Sequence, residues 1–195
     1  MRALLCLFFV LLSACGGGGG DSTTPTAVAV AVYGDSLSSG YVSNTRLSPT
    51  PVERLTEYSA GAIKAVDYSR DGMTAPEVKI AGNEAVVLLR MGYADAVKGV
   101  DESAHTDAME SLIRSLLASG RTPVIAGVLT APDEHDAAAQ RLDNVQHGLA
   151  SSYGLQFIDV RSLGRVTMGD PIHPDRAGSD KVSLFIAQEL VKGLK

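Results

Sequence analysis

The sequence predicts a three-layer α/β/α domain around a mostly parallel central sheet, and three observations carry that expectation. Four short apolar runs, Ala27 to Val32, Ala85 to Leu89, Pro123 to Val128 and Leu155 to Val160, have the β-rich, non-alternating character of strands covered on both faces. Between them lie stretches whose apolar residues recur at helical spacing. With 45% hydrophobic composition, the chain has material for one sizeable core and too little for two. Strand and helix in alternation select a parallel sheet with helices on both faces.

Taken in order, Ala27 to Val32 is the first strand. Val66 to Ser69 is a further strand, weakened by Asp67. After the strand Ala85 to Leu89, the residues Met109, Leu112, Ile113, Leu116 and Leu117 mark a helix that stops at Gly120. Ala138, Leu142, Val145 and Leu149 mark another that ends before Gly154. The final helix carries Val182, Phe185, Ile186 and Leu190 on one face, with Ser179 as its expected cap.

Chemistry is concentrated at the edges of these elements. The first strand runs into Gly34-Asp35-Ser36-Leu37, and Asp170-Pro171-Ile172-His173 precedes the last helix. A strand ending in Gly-Asp-Ser is also an ordinary tight turn, and Asp-x-x-His is also an ordinary loop. Together they supply a serine hydroxyl, an imidazole to take its proton and a carboxylate to fix the imidazole's tautomer. In an open α/β sheet the site forms beyond the carboxyl ends of the strands, where these segments are expected to lie.

On these residues the stretch from Ala27 to Lys195 resembles the GDSL, or SGNH, hydrolases, with their flavodoxin-like three-layer fold. The resemblance implies Ser36 as nucleophile, His173 as general base and then acid, and Asp170 as its orienting partner, with Asp175 a weaker stand-in. Gly72 is similar to the family glycine whose backbone N–H completes an oxyanion hole with that of Ser36. A third block departs from the pattern: Met91-Gly92-Tyr93-Ala94-Asp95 stands where the family has Gly-x-Asn-Asp, so Ala94 replaces an amide donor worth about 3–4 kcal/mol. Asn83 lies at the wrong end of the intervening strand to replace it. Tyr93, Arg70 and Asn44 are the auxiliary candidates.

The resemblance implies a serine esterase acting on small or short-chain esters, with acylated glycans, lysophospholipids or thioesters as compatible substrates and no cofactor. Two rival classes are an acyltransferase on the same scaffold and a non-catalytic surface-binding lipoprotein, the latter favoured by Ala94.

The N-terminus is similar to a bacterial lipoprotein signal: Met1-Arg2, an apolar stretch from Ala3 to Leu12 too short to span a bilayer, then Leu12-Ser13-Ala14-Cys15. That resemblance implies a leader of residues 1–14, lipidation at Cys15, a Gly-rich tether over 15–26 with Gly16 to Gly20 at its start, and a hydrolase domain over 27–195. The expected location is the outer membrane, facing the periplasm, with the lipid anchor as the sole membrane attachment. Cys6 leaves with the leader, so no disulfide is expected in the mature chain.

Other chemistries find little support. The formal charge of −5 disfavours nucleic acid and anionic headgroups. No Gly-x-Gly-x-x-Gly follows a strand, and His105, His135, His147 and His173 are too scattered to suggest a metal site. Asp133-Glu134-His135-Asp136 reads as acidic capping of a helix, while His105 and His147 read as surface residues.

Overall fold

From Val30 to Gly34 every residue of the first strand is buried, which is why this all-apolar run sits with neighbours on both edges. The computed structural model describes residues 26–194; the leader, Cys15, the glycine run and Lys195 lie outside them. Along the chain the elements are β1 (Val28–Gly34), α1 (Ser36–Ser39), a small hairpin of β2 (Tyr41–Val42) and β3 (Thr45–Arg46), α2 (Pro51–Tyr58), β4 (Ile63–Asp67), β5 (Val86–Arg90), α3 (Tyr93–Lys98), α4 (Glu102–Ala118), β6 (Thr122–Ala126), α5 (Asp136–Tyr153), β7 (Gln156–Ile158) and α6 (Arg176–Gly193). Two short 3₁₀ turns, Ala75–Glu77 and Val160–Leu163, interrupt the loops.

The central sheet has the order β4-β1-β5-β6-β7, and each adjacent pair is parallel. The connection from β1 leads to β4 on one side, and that from β5 leads to β6 on the other. A crevice therefore opens beyond the carboxyl ends of β1 and β5, where the connections diverge. Alternate residues of the strands feed two cores. Val30, Val32, Leu88 and Val124 pack with Val52 and Leu55 of α2 and Val182, Ile186 and Leu190 of α6. Ala31, Tyr33, Val87, Leu89 and Ile125 pack with Met109, Ile113 and Leu116 of α4 and Ala150 of α5. The three-layer α/β/α architecture with a parallel sheet is the one the sequence predicts.

Three local expectations are corrected. Asp175, not Ser179, caps α6: its side chain accepts from the Gly178 N–H, and Ser179 lies buried within the helix. The fourth strand begins at Ile63 and ends at Asp67, so Tyr68 and Ser69 follow it; Asp67 sits at its end and accepts from the Ser69 N–H. His105 is not a surface residue but is fully buried. It lies one turn before Met109 on the stripe of α4 that faces the sheet, a spacing visible in the sequence.

His105 belongs to a buried polar chain beneath the site. Asp95 accepts from the Ala75 N–H at 3.0 Å and contacts His105 Nδ1 at 2.9 Å. His105 Nε2 lies 3.1 Å from Gln146 Nε2, which donates to the Met91 carbonyl at 2.9 Å. With Nδ1 protonated toward the carboxylate, Nε2 is free to accept from the amide. Gly92 is wedged against this chain: it holds φ +116°, and a Cβ there would come within 2.8 Å of Gln146 Nε2 and 2.9 Å of Val128 Cγ2. Replacing Asp95 by Ala would strand two buried donors, so Asp95→Ala should lower unfolding free energy by about 3 kcal/mol in urea titration; a change below about 1 kcal/mol would show that the chain does not brace the fold.

Candidate active site

The site is assembled at the carboxyl ends of β1, β4 and β5 and closed by the loop before α6. Gly34 lets β1 turn sharply, because a Cβ at that position would meet Ser38 Oγ at 2.2 Å and the Arg90 carbonyl at 3.1 Å. Asp35 then caps α1: one carboxylate oxygen accepts from the Leu37 N–H at 2.9 Å and the other from the Ala94 N–H at 3.0 Å. Ser36 is thereby held at the first position of α1, at the edge of the cleft. Burial pushes the Asp35 carboxyl up from its usual range, and these two hydrogen bonds together with the Arg90 charge oppose that shift without cancelling it.

Ser36 Oγ lies 2.9 Å from His173 Nε2. On the other side of the ring, His173 Nδ1 lies 3.0 and 2.9 Å from the two Asp170 carboxylate oxygens. Asp170 also accepts from the backbone N–H groups of Ile172, His173 and Ser43, at 2.9, 2.8 and 2.8 Å. Burial works to raise its pKa, but these donors outweigh it and hold the carboxyl well below the usual carboxylate range. The segment carrying both residues is a tight turn, clasped by the Gly169 N–H donating to the His173 carbonyl and the Asp175 N–H donating to the Thr167 carbonyl. Tyr41 of β2 meets the imidazole edge-on, with ring centres 5.4 Å apart. Ser36, His173 and Asp170 thus come together in hydrogen-bonding sequence, whereas Asp175 is turned away to its capping role.

Gly72 lines the same cleft as Ser36, with φ +66°. Its loop is pinned through Asp71, which accepts from Ser39 Oγ and pairs with Arg46 at 3.1 Å. Among the described residues, neither the Ser36 nor the Gly72 backbone N–H donates to another protein group. A carbonyl oxygen seated between them would meet unspent donors. The cleft has a volume of about 220 Å³, and its walls include Tyr41, Tyr93, Ala94, Val97, Lys98 and Ile172.

The auxiliary candidates are placed less favourably. Tyr93 borders the cleft, but its hydroxyl donates to Asp133 at 2.5 Å; burial first, then that bond, hold the phenol well above its usual pKa. Asn44 is exposed on the hairpin turn and accepts from the Tyr41 hydroxyl at 2.8 Å. Arg70 is exposed and faces a neighbouring cavity lined by Tyr33, Tyr68 and Glu77. Ala94 offers only a methyl, since its N–H is engaged by Asp35. The acidic cluster does not converge on the serine: Asp133 receives Tyr93, and Asp136 pairs with Arg161 at 3.0 Å and accepts from the Ala131 N–H. Sequence reading passed over Tyr41, Ser43 and Lys98, because only the folded hairpin and the helical turn after Ala94 bring them to the site.

No protein-family model and no curated protein matches the sequence. Solved structures do share its fold. The lipase/acylhydrolase from Enterococcus faecalis superposes with a TM-score of 0.72 at 16% identity, over 84% of this chain and 95% of the other. A member of the lipolytic protein G-D-S-L family from Veillonella parvula DSM 2008 gives 0.65 at 16% identity, over 85% and 97%. The aryl esterase of M. smegmatis gives 0.70 at 17% identity, over 86% and 100%. The domain therefore has the α/β fold of the G-D-S-L lipolytic proteins and esterases.

The depressed pKa of Asp170 has a signed consequence. Its contribution to stability is fully present above the unfolded carboxylate value, about 3.9, and is lost as pH falls toward the lower folded value. Asp170→Asn should therefore melt at a lower temperature than the parent at pH 7, by a margin that holds to about pH 5 and narrows below about pH 4. A margin constant into strong acid would mean the ionised carboxylate is not its source.

Proposed function

We propose that the protein is a serine esterase that cleaves small or short-chain carboxylic esters through an acyl-enzyme. The observation that carries this reading is the continuous Ser36–His173–Asp170 hydrogen-bond sequence, set beside two unspent backbone N–H groups. His173 Nε2 takes the proton as Ser36 Oγ attacks the ester carbonyl, and the N–H groups of Ser36 and Gly72 receive the oxyanion. The same nitrogen returns the proton to the leaving alcohol. Water, deprotonated in turn by His173, then releases the acid and restores Ser36.

The cleft supports a small acyl group. Its volume of about 220 Å³ and its walls of Tyr41, Tyr93, Ala94, Val97 and Ile172 suit an acetyl or short acyl group better than a long chain. The names of the fold's other members, an aryl esterase and a lipase/acylhydrolase among them, agree with ester chemistry. Acylated glycans of the cell envelope are the substrate class that best fits a lipid-anchored protein. Transfer of the acyl group to a sugar hydroxyl in place of water would use the same intermediate.

Initial rates on p-nitrophenyl acetate, butyrate and octanoate test the reaction. Ser36→Ala and His173→Ala should each lower turnover by at least about a thousandfold with the fold intact, and the acetyl or butyryl ester should be preferred. Equal rates in the parent and Ser36→Ala would rule the reading out. We further propose anchoring through acyl chains on Cys15: Cys15→Ser should move the protein from the membrane to the soluble fraction of a Gram-negative host, and membrane retention of that variant would oppose it.

A further inference from the structure

We propose that Lys98 is a catalytic residue of this site, its ammonium stabilising the oxyanion from the side where Ala94 presents only a methyl; the role rests on the acyl-transfer reading above. Ala94 and Lys98 are four residues apart on α3 and both line the cleft, as one face of a helix requires. Lys98 lies over the oxyanion glycine itself: its Cε and Nζ stand 3.5 and 3.6 Å from where a Gly72 Cβ would be. Gly72 places no side chain between its own backbone and the end of the lysine. Among the lysines and arginines of the described residues, Lys98 alone lines this cleft.

Its present partner is easily exchanged. Lys98 Nζ is 3.6 Å from Glu77, with both side chains about half exposed, at 49% and 48%. A pair of that kind contributes little to stability. Glu77 is fixed independently of the lysine, because its carboxylate accepts from the Thr74 N–H and hydroxyl at 2.9 and 3.1 Å. The ammonium thus has a stationary resting partner beside the cleft. As the bond from Ser36 Oγ to the carbonyl carbon forms, the carbonyl π pair moves onto oxygen. Lys98 then turns from Glu77 toward that charge, transferring no proton, and returns when the C–O double bond re-forms and the alcohol departs. A group that meets charge present only in the transition state changes kcat rather than KM.

Steady-state kinetics of the full chain on uncharged p-nitrophenyl acetate test this, with Ser36→Ala as reference. Lys98→Met, which keeps the packing stem, should lower kcat about ten- to a hundredfold with KM nearly unchanged. Lys98→Arg should retain most of the activity, and Ala94→Asn placed in the Lys98→Met background should recover at least part of the lost kcat by supplying an amide donor. Unchanged kcat in Lys98→Met, or an effect confined to KM, would overturn the role of Lys98 while leaving a Ser36-dependent esterase intact. Rates equal in the parent and Ser36→Ala would instead overturn the underlying reading.

Discussion

Asp35 is the constraint on which the geometry of the cleft depends. Its two oxygens are divided between the Leu37 N–H, which holds the turn after β1, and the Ala94 N–H, which holds the start of α3 after β5. Ser36 and the opposite wall of the cleft are thus referenced to one buried carboxylate. An isolated buried carboxylate would cost several kcal/mol, and here two N–H donors and the charge of buried Arg90 offset part of that cost. Arg90 in turn donates to the Leu37 carbonyl at 2.9 Å, so the last residue of β5 grips the same turn from behind.

The remaining walls are positioned by contacts between segments far apart in sequence. Ser43 sends its N–H to Asp170 and its hydroxyl to the Gly169 carbonyl, joining the hairpin to the turn that carries His173. Asp71 joins the Gly72 loop to α1 and β3. Beneath them, the Asp95, His105 and Gln146 chain supports the base of α3 and the Met91 carbonyl. Against these contacts, the backbone N–H groups of Ser36 and Gly72 donate to no protein group among the described residues.

The sheet and its major helices were legible in the sequence because parallel strands covered on both faces leave uninterrupted apolar runs, and α4, α5 and α6 leave periodic ones. Boundaries moved by one to three residues: β1 extends to Gly34 because Tyr33 is buried among apolar neighbours, a fact its hydroxyl obscures. The hairpin was not legible, since two-residue strands carry no periodicity. Ser36, Gly72, Asp170 and His173 stood out as motif residues, and they do meet. What the motif left out is held by contact alone: the tie from Ser43 is a backbone N–H that any residue but proline would supply there, and the position of Lys98 follows from a helix only six residues long. Tyr93, Arg70 and Asn44 were plausible by location, but a hydroxyl, a guanidinium and an amide each settled where a nearer partner or open solvent drew it.

Ser36 and His173 meet across a separation of 137 residues. His173 sits on the last turn before α6, and α6 docks on α2 as well as on the sheet, through Val182, Ile186 and Leu190. A contact of such high order forms late in folding, after the intervening strands have closed their loops. During synthesis the Ser36 hydroxyl therefore stays without its imidazole partner until α6 has emerged and packed. The order of the chain thus delays this pairing, so that hydroxyl and imidazole meet only in a molecule whose sheet and α6 are already in place.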